Sequence, residues 1–164
     1  MLELRWKAYG TAVAVFALDR VTKMIVEARV SFLDTHKIIP GFFDIVHSEN
    51  RGVAFGIFND STSEWRTTLL ILASIAAVTM VSAMLWRADR LDRFSFWGLA
   101  LILGGAAGNV FDRIVYGRVT DFLLLYLGNF QWPAFNVADT AIVCGSGLLL
   151  IDLLRPKRQA ANVP

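Results

Sequence analysis

With 164 residues, 55% of them hydrophobic and only 18% charged, the chain holds fewer charges than the roughly 25% usual in soluble domains, and a bilayer is the solvent that fits it. A net charge of +2, without basic runs interleaved with aromatics, argues against a nucleic-acid partner. One cysteine, Cys144, leaves no internal disulfide, and His36 and His47 offer no metal-ligand spacing, so no metal and no other cofactor is expected.

Four segments are apolar for about 20 residues each, the length that crosses a bilayer. In chain order they cover roughly residues 8–28, 65–86, 94–115 and 134–154. The second has a Trp at each end, as interfacial anchors should be. Asp19 and Arg20 interrupt the first, and no A-x-A site follows it, which favours a retained helix over a cleaved leader. The expectation is an all-α integral membrane protein, a single membrane domain over 1–164 with four transmembrane helices. Arg5 and Lys7, then Arg87, Arg90 and Arg93, then Arg155, Lys157 and Arg158 mark three cytoplasmic regions by the positive-inside rule. Both termini are therefore placed in the cytoplasm, with two outer loops at 29–64 and 116–133. In the first loop, Pro40-Gly41 and Asn50-Arg51-Gly52 are turn signals beside the β-prone runs FFDIVH and VAFGIF. They predict a small extracytoplasmic sheet or hairpin resting on the membrane surface.

Polar residues recur inside the apolar segments, where they are costly. Asp19 and Lys23 stand at i and i+4 in the first helix; Asn109 and Asp112, and then Asn136 and Asp139, stand at i and i+3 in the third and fourth. Arg113 follows Asp112, and Asp121 lies just beyond the third helix. All fall towards the outer leaflet, and the inner halves carry no charge until Asp152. A proton-coupled carrier, with Asp19 and Asp112 as its carboxylates, would need a polar path through the whole thickness. A pocket open to one side suits an enzyme. Gly104, Gly105 and Gly108, like Gly145 and Gly147, are read as close-packing positions between helices, which would bring Asp112, Asp121 and Asp139 together.

Each residue also has a plainer role. Asp112 and Arg113 could form an ion pair closing the third helix, Asp19 could neutralise Lys23, Asn136 could cap the fourth helix, and Asp139 could answer its dipole. A third reading is an assembly partner whose buried polar groups only specify packing. Concentration of the whole set at one leaflet favours function. No Ser-His-Asp set can be assembled, so carboxylates remain. Two of them close together share one proton, and the charged member can activate water while the protonated one hydrogen-bonds a carbonyl. Such a pair cleaves a peptide bond without metal or cofactor.

Four blocks in order carry a resemblance: DRVTK (19–23), NRGVAFG (50–56), GNVFDRIVYGRVTDF (108–122) and FNVAD (135–139). Together the chain resembles the lipoprotein signal peptidases, signal peptidase II. The resemblance implies an aspartic endopeptidase of the bacterial cytoplasmic membrane, its active site at the outer leaflet. Its substrate would be a prolipoprotein, cut on the N-terminal side of a diacylglyceryl-modified cysteine. By motif, Asp121 and Asp139 become the catalytic dyad. Asn50 and Arg113 become substrate contacts, with Asn109, Asp112 and Asn136 shaping the pocket and Asp19 and Lys23 in a structural polar shell. Membrane lipids are the other expected partners, and one chain suffices. Ala107 and Arg51 depart from the family's usual residues and bear only on pocket detail.

Overall fold

The computed structural model describes residues 2–32, 34–52, 64–87 and 91–155. Its elements run α1 (Leu2–Arg29), β1 (Thr35–Ile39), β2 (Phe43–Asn50), α2 (Glu64–Trp86), α3 (Arg93–Tyr116), β3 (Val119–Leu127), β4 (Phe130–Gln131) and α4 (Val137–Leu154). Among the described residues three helices, Thr68–Trp86 within α2, α3 and α4, are long and apolar enough to cross a membrane. The longer α1 has 28 residues, or about 42 Å of helix, but Asp19, Arg20 and Lys23 interrupt its hydropathy. Those three side chains are buried in the bundle, whereas Val13, Leu18, Val21, Met24 and Ile25 on the outer face are exposed and apolar.

The bundle is arranged about α3, against which α1, α2 and α4 all pack. Small residues set the spacing. A Cβ on Gly104 would stand 2.6 Å from the Ala12 carbonyl oxygen of α1, and one on Gly98 would stand 2.7 Å from that of Gly145 in α4. Gly105 abuts the Ala138 carbonyl, and a Cβ on Gly108 would meet Asp19 Oδ2 at 2.7 Å. Close packing is therefore found at Gly104, Gly105, Gly108 and Gly145, as expected, and also at Gly98, which the sequence did not single out. It is not found at Gly147, which has open space around it. Towards one end of the bundle lies an apolar cluster, with Ala8, Ala12, Val81, Leu85, Leu99 and Leu103 buried together.

At the other end lies a four-stranded antiparallel sheet in the order β1-β2-β3-β4. The expected small sheet is present and most of FFDIVH falls in β2, but its hairpin partner across Gly41, with φ of 74°, is β1, which lies outside the β-prone runs. The run VAFGIF lies outside the described residues. The region 116–133, read from sequence as a loop, instead contributes β3 and β4. β3 joins the sheet beside β2, with Ser48 opposite Asp121 and Asn50 opposite Val119. Helix α3 ends at Gly117, whose φ of 69° lets the chain leave in a left-handed turn while its N–H bonds the Arg113 carbonyl. Helix α4 starts at Val137, later than the expected 134, because Phe135 is bound to β3. Its N–H donates to the Leu123 carbonyl at 3.0 Å and its carbonyl accepts from the Leu123 N–H at 2.8 Å. That clasp sets the first turn of α4 against the strand carrying Asp121.

Candidate functional site

Three asparagine amides, each with one orientation open to it, build the site. Asn136 is the N-cap of α4, and its Oδ1 accepts the Asp139 N–H at 2.9 Å. A backbone N–H can only donate, so the oxygen must face it. The Nδ2 group is thereby turned to Asp121 Oδ1, at 2.7 Å. Asp139 completes the capping box by accepting the Asn136 N–H at Oδ2, 3.3 Å away. Asn50, at the end of β2, is held likewise. Its Oδ1 accepts the Gly52 N–H at 2.9 Å, and its Nδ2 donates to Asp121 Oδ2 at 3.0 Å. Asn109 on α3 presents Oδ1 to Lys23 Nζ at 3.1 Å and Nδ2 to Asp139 Oδ1 at 2.8 Å.

Asp121 and Asp139 thus come from a strand and a helix, joined through Asn136, and both line one cavity of about 730 Å³. Asp121 is only 4% exposed. Burial, and then the neighbouring Asp139 carboxylate, push its pKa up to about 7, against the hydrogen bonds from Asn50 and Asn136.

Behind the pair lies a buried ionic quartet. Lys23 Nζ donates to Asp19 Oδ2 at 2.7 Å and to Asp112 Oδ2 at 2.6 Å. Arg20 closes on the other Asp112 oxygen, donates to the Tyr116 hydroxyl at 3.3 Å, and lies over the Phe111 and Tyr116 rings. Asp19 Oδ1 takes the Ala138 N–H at 2.9 Å, which ties α1 to the first turn of α4. The suggested Asp112–Arg113 ion pair is absent. Arg113 instead donates to the Asn109 carbonyl at 3.3 Å and the Gly52 carbonyl at 3.1 Å, and its buried Nε meets no acceptor among the described residues.

The structure sorts the sequence candidates by depth. Asn50, Asn109, Arg113, Asp121 and Asp139 line the cavity. Asp112 and Asn136, read as shaping the pocket, do not line it; they are 1% and 0% exposed, Asn136 bonding Asp121 and Asp139, which do, and Asp112 bonding Arg20 and Lys23 behind them. Asp19 and Lys23 lie behind them, both wholly buried. In sequence Arg20 stands out as a break in an apolar run and carries no site role. A charge count could have found it, since Asp19 and Asp112 at one depth need a second cation beside Lys23. Counting inward-facing groups gives four carboxylates (Asp19, Asp112, Asp121, Asp139) and three cations (Arg20, Lys23, Arg113). One proton on the Asp121–Asp139 pair makes the whole cluster neutral.

The rest of the cavity wall is mostly apolar, from α2 (Leu70, Ala77), α3 (Ile102), β3 (Leu125) and α4 (Ile142, Val143), with the hydroxyls of Ser74 and Thr140 among it. Helices α2 and α4 each pack on α3 rather than extensively on one another. Among the described residues, no cluster of three His, Cys, Asp or Glu side chains is placed to hold a metal ion. Two carboxyls, a cation and amide donors around an apolar chamber can bind a peptide carbonyl, position water and move a proton.

A family model described as signal peptidase (SPase) II matches residues 11–155. A lipoprotein signal peptidase of Solibacter usitatus is 72% identical over 163 residues, covering 99% of each chain. One from Maridesulfovibrio salexigens is 39% identical over 146 residues, 89% of this chain and 94% of its own. A solved bacterial membrane enzyme, determined by the in meso method, aligns with a TM-score of 0.84 at 27% identity, over 96% of this chain and 94% of that one.

Proposed function

The chain belongs to the signal peptidase II family, and from that premise we propose that it is an aspartyl endopeptidase that removes signal peptides from prolipoproteins. The cut falls on the N-terminal side of a diacylglyceryl-modified cysteine. The observation that carries the aspartyl mechanism is the meeting of Asp121 and Asp139 on one cavity wall, each bound to Asn136. In this reading Asp121, the more buried of the two, holds the shared proton and hydrogen-bonds the scissile carbonyl. Asp139, aimed by the Asn109 amide and the Asn136 N–H, takes a proton from water as it attacks. Asp121 then protonates the leaving amine. Arg113 and Asn50, which line the cavity, hold the peptide there. Asn136, Asp112, Asp19 and Lys23 hold the reacting groups in place.

In this proposal the protein is one membrane domain in the bacterial cytoplasmic membrane. All four helices cross, α1 with its charges turned inward, and both termini are cytoplasmic. The sheet then lies at the outer leaflet, where Ile39, Phe42, Leu127 and Phe130 at its edge are exposed to lipid. Substrate acyl chains enter sideways between α2 and α4, and a single chain is complete. A proton-coupled carrier fits less well, because the inner end of the bundle is closed by the apolar cluster of Ala12, Val81, Leu85, Leu99 and Leu103.

Incubating the purified protein with a diacylglyceryl-modified precursor and with its unmodified twin tests the proposal. Binding energy from the acyl chains should favour the modified form by at least about 100-fold in kcat/KM. Equal rates would overturn the lipid dependence, and failure to cut either would overturn the activity.

A further inference from the structure

We infer that Lys23 is a positioning residue for the reaction, fixing the aim of Asp139 through the Asn109 amide. The inference rests on the aspartyl reading above and assigns a task to a side chain that does not line the cavity. Lys23 is wholly buried on α1, and its ammonium has three N–H donors. Three oxygens receive them: Asp19 Oδ2, Asp112 Oδ2 and Asn109 Oδ1. An ammonium cannot accept, so the end of the Asn109 amide that faces it must be the oxygen. Reversing that amide would set an NH2 group against the ammonium and a carbonyl oxygen against Asp139. Two hydrogen bonds would become two repulsions in a medium that screens them poorly. The Asn109 NH2 is therefore committed to Asp139 Oδ1, 2.8 Å away.

The lysine itself has no freedom to drift. Asp19 is pinned by the Ala138 N–H, and Asp112 is shared with Arg20. The same quartet joins α1, α3 and the first turn of α4 at the depth of the dyad, so Asp139 is located by its own helix and by α1 through one amide. Asn136 and Asn50 are oriented by backbone N–H groups, whereas the Asn109 oxygen faces the Lys23 side chain together with the Asn136 amide, 3.4 Å away. This makes Asn109 the one of the three amides whose aim a substitution at Lys23 can loosen, leaving only the long Asn136 contact on its oxygen.

Neutralisation of Asp19 and Asp112 would be a purely structural task for Lys23, and it differs in what it affects. Lys23→Met alone strands two buried carboxylates, so the test places it with Asp19→Asn, which removes one charge and keeps an oxygen for the Ala138 N–H. The reference is Asp19→Asn alone, with fold checked by thermal unfolding and activity measured on the diacylglyceryl-modified precursor. The added Lys23→Met change should lower kcat per folded molecule by about 10- to 100-fold, with KM held within about threefold. In an Asn109→Ala background the same change should cost less than about threefold, since the amide it acts through is gone. Unchanged kcat, or an equal loss with and without Asn109, would overturn the inference. If the methionine variant does not fold, Lys23→Gln in the Asp19→Asn background decides. Its amide can donate to the Asn109 oxygen, so kcat should stay within about tenfold of the reference, and a larger loss in folded protein would overturn the inference. Cleavage within about tenfold of the unsubstituted chain by Asp121→Asn or Asp139→Asn would instead remove the aspartyl reading itself, whatever Lys23 does.

Discussion

Asp121→Asn and Asp139→Asn, made one at a time, are each expected to lower turnover by about 10,000-fold or more while the protein stays folded and still binds the precursor. Asparagine matches the aspartate in shape, so packing around β3 and the first turn of α4 should survive. The chemistry should not. Asn at 121 has no acidic proton for the carbonyl or the leaving amine, and Asn at 139 has no base for the attacking water. The two losses should not add in the double variant, because the carboxyls act as a unit on one water. Cleavage within about tenfold of the unsubstituted chain by either variant would remove that residue from the mechanism. The measurements are single-turnover cleavage and precursor binding, made on the same preparations.

The second large effect is on stability. Asp112→Ala leaves Arg20 and Lys23 buried with only Asp19 between them, and removal of one partner from a buried ionic group costs about 3–5 kcal/mol. The loss should appear as a lowered unfolding midpoint in lipid or detergent. It should be partly recovered by Arg20→Met in the same chain, which removes the stranded charge and fills the space beside Phe111. A change under about 1 kcal/mol would mean that water screens the quartet, as it does at a surface pair.

The helices were legible because membrane crossing demands a long apolar run, and α2, α3 and α4 are such runs. Three polar pairs were legible because helical spacing puts i and i+3 or i+4 on one face. Asp19 with Lys23, Asn109 with Asp112, and Asn136 with Asp139 do act together. What sequence hid was non-local. VTDFLLLYL in β3 lacks the polar–apolar alternation of a half-buried strand, since both of its faces are largely covered. Its partner in β2 lies some seventy residues away, and nothing in the local pattern announces that pairing. For the same reason the immediate setting of Asp121, between Asn50 and Asn136, is a product of the sheet rather than of any motif spacing. Arg20 was hidden differently: a single arginine in an apolar run looks like an interruption until the charges around it are counted. Gly147 shows the converse error, a small residue in a helix with no helix packed against it.

The proposed cleavage depends on one proton shared by two carboxyls, with Asp121 as its holder. The pH dependence of kcat/KM on the lipid-modified precursor reads that proton directly. Burial raises the Asp121 pKa from 3.8 to about 7, so the proton is present below that pH and is lost as pH rises through it. Activity should therefore fall by about tenfold per pH unit above a break close to pH 7. A rate that climbs through neutrality and stays high to about pH 9 would mean that cleavage proceeds with both carboxyls ionised, and it would contradict the mechanism.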